Sequence, residues 1–400
     1  MNNPRFLFVA AFLSACAGAD PADSDPVDTS ETDVDTAETD LLDTDLVETD
    51  LPDTDVVDTD APDTDDTDGM VFLPQTFTAE AGFRIRHAGN AKAGYNADAN
   101  AGPVGIYLYH QPKDGTEPSG GGGGMLSTIF AYSEDGLTFD AAEYTEVATG
   151  ACNGQDGARI VGHSERLALP EGGYRLYRLM QGPMAAFQSF SSMYSDDGVV
   201  YCNLPTDHYE LGPNDNGTMG IYTTFVAEHT ENQVVLLYLG DLFGDNNTRR
   251  AVAGGDGDQF EWHSDNVLGD AGGEASQAYV DISTVPAAPG VRRLFSMQGG
   301  NGIYSFITHD DGVSFVQEPG PRLTPSDFDG LLGEDFTTCA FFDPTLVQIP
   351  DGSGGIAATR MYLTSRVWDA SVPGCDAYDP CTMHQECDEE VILSAVTTDL

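Results

Sequence analysis

The sequence predicts an all-β fold, a five-bladed β-propeller carried behind a disordered acidic linker, and three observations predict it. First, a turn motif recurs, in which an aromatic or apolar strand leads into Ser/Thr-x-Asp-Gly and a following aromatic. It stands at Tyr132–Phe139, Tyr194–Tyr201 and Thr308–Phe315, with a degenerate copy at Gly255–Trp262. Second, Ser133, Ser195, Gly255 and Thr308 are 62, 60 and 53 residues apart, room for a four-stranded sheet in each unit. Third, a strand, Pro/Asp-Gly turn and strand precede these turns, at His163–Tyr177, Thr224–Tyr238, Tyr279–Phe295 and, with a short insert, Asp343–Tyr362. Both elements together describe one propeller blade.

Taken in order, residues 1–16 read as a signal peptide: Arg5, an apolar run from Phe6 to Ala15, and Cys16 behind small residues. An apolar stretch of about ten residues is too short to span a bilayer, which takes roughly 20. Leu13-Ser14-Ala15-Cys16 resembles the bacterial lipobox, which implies lipidation at Cys16 and a protein anchored to the cell envelope through lipid only. Residues 17–69 form an Asp/Thr-rich tether: 21 acids and no Lys or Arg between Ala17 and Asp68, in a repeat of about five residues such as Asp53-Thr54-Asp55-Val56-Val57. Uniform charge with few large apolar groups does not offset the entropy of ordering, so this tract is expected to be extended and disordered.

The propeller domain is assigned to residues 70–400, with blades near 103–148, 158–207, 219–265, 278–320 and 338–400, here A to E. Asp-Gly supplies the positive φ of a tight hairpin turn, and the Asp side chain bonds backbone amides across it, so these aspartates read as turn formers. In blade E the strand Val391–Asp399 stops where a turn and a fourth strand are due. A closed ring leaves no bare edge, so an N-terminal segment, Val71–Thr78, is expected to complete blade E as its outer strand. Six blades, with one in residues 70–102, is the alternative.

Composition narrows the partners. The chain has 16 basic against 66 acidic residues, and its only lysines are Lys92 and Lys113. A polyanion partner needs a basic face, so nucleic acid is excluded. Setting aside Arg5 and the 21 acids of the tether leaves 45 acids and 15 bases in Gly69–Leu400, a net charge of -30.

The Ser-x-Asp-Gly-x-x-Phe turns, with Asp343-Pro344, Pro350-Asp351-Gly352 and Arg360-Met361-Tyr362, resemble glycosidase-type propellers: five-bladed arabinanase- and xylosidase-like glycoside hydrolases, and six-bladed sialidases. The sialidase Asp-box has one more residue between its Asp and its aromatic than stands between Asp135 and Phe139, which favours the five-bladed relatives. That resemblance implies acids from different inner strands meeting at the funnel, where two carboxyls flank a glycosidic bond. Asp343, Asp281 and Glu228 are the catalytic candidates; the alternative role of Asp343 is to bond backbone amides. Where an intact set would show acids, blades B and C have His163, with Glu165 close by, and Thr224, which are candidate ligand-binding residues. Phe83-Arg84-Ile85-Arg86 resembles the sialidase Phe-Arg-Ile-Pro without its proline, making Arg84 a third, with solvent as its other setting.

Six cysteines remain beyond Cys16: Cys152, Cys202, Cys339, Cys375, Cys381 and Cys387. An even number in an exported chain reads as three disulfides. Cys152 with Cys202 would staple blade B, and Cys339 with the 375–387 cluster would tie the insert of blade E, one pair closing locally. No cofactor is called for. Structural calcium is a candidate at Gly240–Asn247 and at Asp376 with Asp379, though each reads first as a solvated loop. The functional expectation is a surface-anchored propeller that recognises extracellular glycan or a surface protein without catalysis; the alternative is a glycoside hydrolase acting on extracellular polysaccharide.

Overall fold

The computed structural model describes residues 72–97, 99, 103–112, 128–150, 161–181, 188–198, 200–210, 225–229, 233–239, 248–255, 257, 259–264, 266–269, 279–299, 301–382 and 384–399. Cys16, the tether and Thr224 lie outside them. Among the described residues no helix is long and apolar enough to cross a membrane.

Two short strands lead in, β1 (Thr78–Ala79) and β2 (Ile85–Arg86). Blade A comprises β3 (Ala88–Asn96), β4 (Gly105–Pro112), β5 (Ile129–Ser133) and β6 (Thr145–Glu146). Blade B comprises β7 (Ala148–Gly150), β8 (Val161–Ala168), β9 (Tyr174–Gln181), β10 (Gln188–Ser195) and β11 (Val200–Glu210), with β7 parallel to β11. Blade C is β12 (Phe225–His229), β13 (Gln233–Leu239), β14 (Thr248–Gly254) and β15 (Glu261–Ser264). Blade D is β16 (Tyr279–Ala288), β17 (Val291–Gln298), β18 (Ile303–Thr308) and β19 (Val316–Gln317). Blade E is β20 (Phe336–Pro350), β21 (Ile356–Asp369) and β22 (Asp388–Thr397), to which β1 and β2 are added.

Apart from the added β7, the strands of each blade pair antiparallel and alternate side chains between two faces, and each face packs on a different neighbour. Leu176 of blade B joins Tyr107 and Tyr109 of blade A, whereas the adjacent Tyr177 joins Leu236 and Tyr238 of blade C. Leu294 of blade D packs with Val235 and Leu237 of blade C, and Phe295 with Phe341 and Met361 of blade E. Ile106 and Leu108 of blade A pack with Val347 and Tyr362 of blade E, which closes the ring. The first long strands β3, β8, β12, β16 and β20 lie side by side in that order, and β20 returns to β3. Five blades are therefore correct, and the strands described within residues 70–102 belong to blades E and A.

Two boundaries differ from expectation. Blade A begins at Ala88 rather than near 103, because its innermost strand is built of small residues that carry no strand-like apolar pattern. Ala88 and Ala91 are fully buried, and a Cβ at Gly94 would overlap the Tyr107 ring. The N-terminal segment does complete blade E, but mainly beyond 71–78: Thr78 pairs with Val396, Ile85 with Ile392, and the Glu80 and Arg84 amides bond Ser394 and Ile392 carbonyls at 2.9 and 2.8 Å.

Candidate functional site

Bulges re-aim the inner strands at one end of the ring. Register shifts fall between Gly89 and Lys92 in β3, Val161 and Ser164 in β8, Val280 and Ile282 in β16, and Phe342 and Thr345 in β20. Three of these bulges place a non-glycine residue in the left-handed region: Asn90 (φ 54°), Asp281 (φ 56°) and Asp343 (φ 45°). Asn and Asp tolerate that region best, yet the conformation still costs stability and gathers at functional sites. In a meander the Asp-Gly turns and the first hairpins lie at the far end of the blades, so the bulges mark the opposite mouth of the funnel.

Neighbouring inner strands are laced at this level. The Asp343 amide donates to Asp281 Oδ2 at 3.3 Å, the Leu346 amide to Ser283 Oγ at 3.2 Å, and the Ala93 amide to Thr345 Oγ1 at 2.9 Å. Asp281 and Asp343 are thus brought together on adjacent blades, 6% and 5% exposed. Asp281's carboxylate thus accepts from an inner-strand amide, the role given above as the alternative for Asp343.

Glu228 stands apart from this pair. Its Oε2 accepts from Arg292 Nη1 and from Thr284 Oγ1, both at 2.7 Å, and Arg292 Nε reaches Asp311 Oδ1 at 3.1 Å. Thr284 lies three residues beyond Asp281, about 10 Å along the strand, so Glu228 sits deeper in the funnel. Glu165 of blade B makes a comparable pair with Lys92 of blade A, 3.3 Å apart. Burial raises the carboxyls of both Glu165 and Glu228 despite these cations. Neither Lys92 nor Arg292 was singled out from the sequence as a partner for these acids. In a chain with two lysines, one of them on an alanine-rich strand was the available signal.

The other candidates are dispersed. His163 lies within the bulge of β8, and nothing is described of its side chain; Thr224 is outside the described residues. Arg84 is neither a funnel ligand nor solvent-facing. It is 9% exposed beside the outer edge of blade E, donating through Nη1 to the Leu137 carbonyl at 2.8 Å and through Nη2 to the Ala81 and Gly82 carbonyls. The reason is topological: β2 is an outer strand, remote from the axis, and only Arg86 of the pair faces solvent, where it binds Glu389.

Cys339 bridges Cys381, and Cys375 bridges Cys387, the local closure expected within the cluster. Cys202 is also disulfide-bonded; Cys152, its expected partner, lies outside the described residues. Among the described residues no group of three or more His, Cys, Asp or Glu side chains is placed to hold a metal, Asp376 and Asp379 included. Gly240–Asn247 lies outside them.

No family model matches the chain, and no curated protein matches it in sequence. Solved structures do match its fold. An N-acetylgalactosamine deacetylase from F. plautii, in complex with blood group B trisaccharide, superposes over 80% of this chain and 95% of that one, with 12% identity and a TM-score of 0.50. A thermostable family-43 glycoside hydrolase does so over 79% and 92%, again with 12% identity and a TM-score of 0.50. At such identity the likeness is one of fold, and it agrees with the five-bladed glycosidase-type propeller that the repeats resemble.

Proposed function

We propose that this chain recognises uncharged oligosaccharides at the mouth of its funnel, around Asp281 and Asp343, and holds them without cleaving them. One observation carries the reading: two buried carboxylate residues on adjacent inner strands, each held in a left-handed conformation by a bulge. A carboxylate accepts strongly from hydroxyl donors, and a concave site with a few convergent polar groups is the usual form of a small-ligand site. The net charge of -30 in Gly69–Leu400 repels anionic sugars and favours neutral ones. Both structural neighbours named above are described as carbohydrate-active or carbohydrate-bound proteins, which supports a glycan over a protein ligand.

Cleavage is the second reading, and Glu228 favours it: a half-buried carboxyl raised above its ordinary range is the form a general acid takes. Against it, Arg292 and Thr284 already bond its Oε2. The test is incubation with arabinan, xylan, mannan and galactan oligosaccharides and with chromogenic arabinosides, xylosides and sialosides, following binding by calorimetry and release by chromatography. Binding of a neutral glycan with no release supports recognition. Release that Glu228→Gln abolishes establishes the hydrolase, and a panel with neither binding nor release sinks both.

The same reading keeps Cys16 as a lipid anchor at the bacterial cell envelope and residues 17–69 as the tether that presents the propeller. Metabolic labelling with a fatty acid tests this: incorporation lost in Cys16→Ala supports the anchor, and no incorporation in the parent chain refutes it.

A further inference from the structure

Blade E departs from the other four at the funnel mouth. Its strands β20 and β21 span 15 and 14 residues, the longest among the described residues. Seven residues of β20, Phe336–Phe342, precede the bulge at Asp343 and pair along β21 up to Asp369. This hairpin therefore rises past the level of Asp343, and the connection from β21 to β22, residues 370–387, lies at its top.

Two disulfides shape that connection. Cys375–Cys387 closes it on itself, and Cys339–Cys381 fastens it to β20, with Cα atoms 5.2 Å apart. β20 is the innermost strand of its blade, and Cys339 stands four residues ahead of Asp343, about 13 Å along the strand. The second bridge thus ties the connection to the innermost strand of blade E, on the mouth side of Asp343.

Between the bridged cysteines stands an exposed aromatic. Tyr378 keeps 45% of its surface in solvent, and its ring stacks on His384 with centroids 3.7 Å apart and planes at 25°. His384 in turn meets the buried Trp368 edge-on at 6.3 Å. A tyrosine fixed by its backing and by two bridges offers a flat apolar face with a polar tip and little side-chain entropy left to lose. That shape suits a sugar ring, whose C–H face is apolar and whose rim carries hydroxyls.

We infer that Tyr378, backed by His384, is a carbohydrate-stacking subsite on the rim of the funnel, engaged by oligosaccharides long enough to extend from Asp343 past the bridged connection. The inference rests on the reading that the funnel mouth takes uncharged oligosaccharides. It makes affinity depend on ligand length and assigns that dependence to Tyr378.

Calorimetry with the full chain and a size series of linear neutral oligosaccharides, from one to six sugars, of whichever glycan in the panel binds, tests it. The parent chain is expected to bind longer members more tightly. Tyr378→Ala is expected to lose about tenfold in affinity for the longest member, the upper worth of one aromatic contact. It should leave the shortest unchanged, and Tyr378→Trp should keep the length dependence. If Tyr378→Ala retains the full gain with length while Asp343→Asn abolishes binding, the rim subsite is wrong and the funnel reading survives. If the parent chain binds no member, both are wrong. An equal loss at every length in Tyr378→Ala, with an unchanged melting temperature, also overturns the rim assignment.

Discussion

Tyr362 donates its phenol proton to the Gly136 carbonyl at 2.7 Å, joining the middle strand of the last blade to the Asp-Gly turn of the first, 226 residues away. The relationship repeats around the ring: Tyr109 reaches the Gly198 carbonyl at 2.5 Å and Tyr177 the Gly257 carbonyl at 3.0 Å. Each turn glycine has a positive φ, 70°, 76° and 77°. Gly257, in the copy that looks degenerate in sequence, is thereby a true member of the set. Its Cβ would lie 2.1 Å from the Tyr177 hydroxyl.

Tyr362→Phe leaves the Gly136 carbonyl without its buried donor and is expected to lower stability by about 1–3 kcal/mol in urea unfolding. Glycan binding should not change, since the turn lies at the far end from Asp343. Gly257→Ala should cost more, because it adds a left-handed alanine to a steric overlap. Wild-type stability in either variant would show that the blades do not depend on this contact.

Acid should loosen the turns. Asp135 accepts from the Leu137 and Thr138 amides at 2.8 and 3.0 Å and from Ser133, which holds its carboxyl below the ordinary range. Asp351 is held low likewise by the Ser353 amide and hydroxyl and the Gly355 amide. Burial pushes Asp310 up, but bonds from Ser314, Thr308 and the Val313 amide outweigh it and leave it low. A depressed folded value gives stability that is full above the unfolded value, about 3.9, and is lost as pH falls through the folded one. Melting temperature should therefore drop below about pH 4, and Asp135→Asn should lower it at pH 7 while flattening that acid slope. An unchanged slope in the variant would refute the assignment.

His110 should set a second, milder window. It is buried beside Tyr144, neither ring nitrogen meets a partner of good geometry, and burial lowers its pKa to about 4. The unfolded chain takes up the proton near 6.5, so stability is full above that value and falls as pH drops toward 4, by up to about 3 kcal/mol. His110→Phe removes both the orphaned nitrogens and the titration. It should flatten the stability profile between pH 6.5 and 4, and a profile identical to the parent's would contradict the assignment.

Much of the fold is legible in the sequence because a propeller repeats its turn chemistry. The Asp-Gly motifs at Asp135, Asp197 and Asp311 mark blades A, B and D, and the interrupted end of blade E points to an N-terminal closing strand. The innermost strand Ala88–Asn96 is not legible, since crowding at the axis selects alanine and glycine over the β-branched residues that signal a strand. At the site, Asp343 is marked by its Asp-Pro phrase. The pairing of Glu228 with Arg292 is hidden, because it joins residues 64 apart on different blades. Arg84 misleads by its neighbours in sequence, and only topology shows it on an outer edge.

The most direct test of the funnel mouth as the ligand site is the affinity of Asp343→Asn and Asp281→Asn for the neutral oligosaccharide that the parent chain binds. Asparagine keeps the side-chain volume and tolerates the left-handed backbone, so both variants should melt like the parent and differ only in charge. The expected result is binding at least tenfold weaker in each, the loss of one charge-assisted hydrogen bond. Parental affinity in both variants, with the fold intact, would contradict the assignment of the site to Asp281 and Asp343.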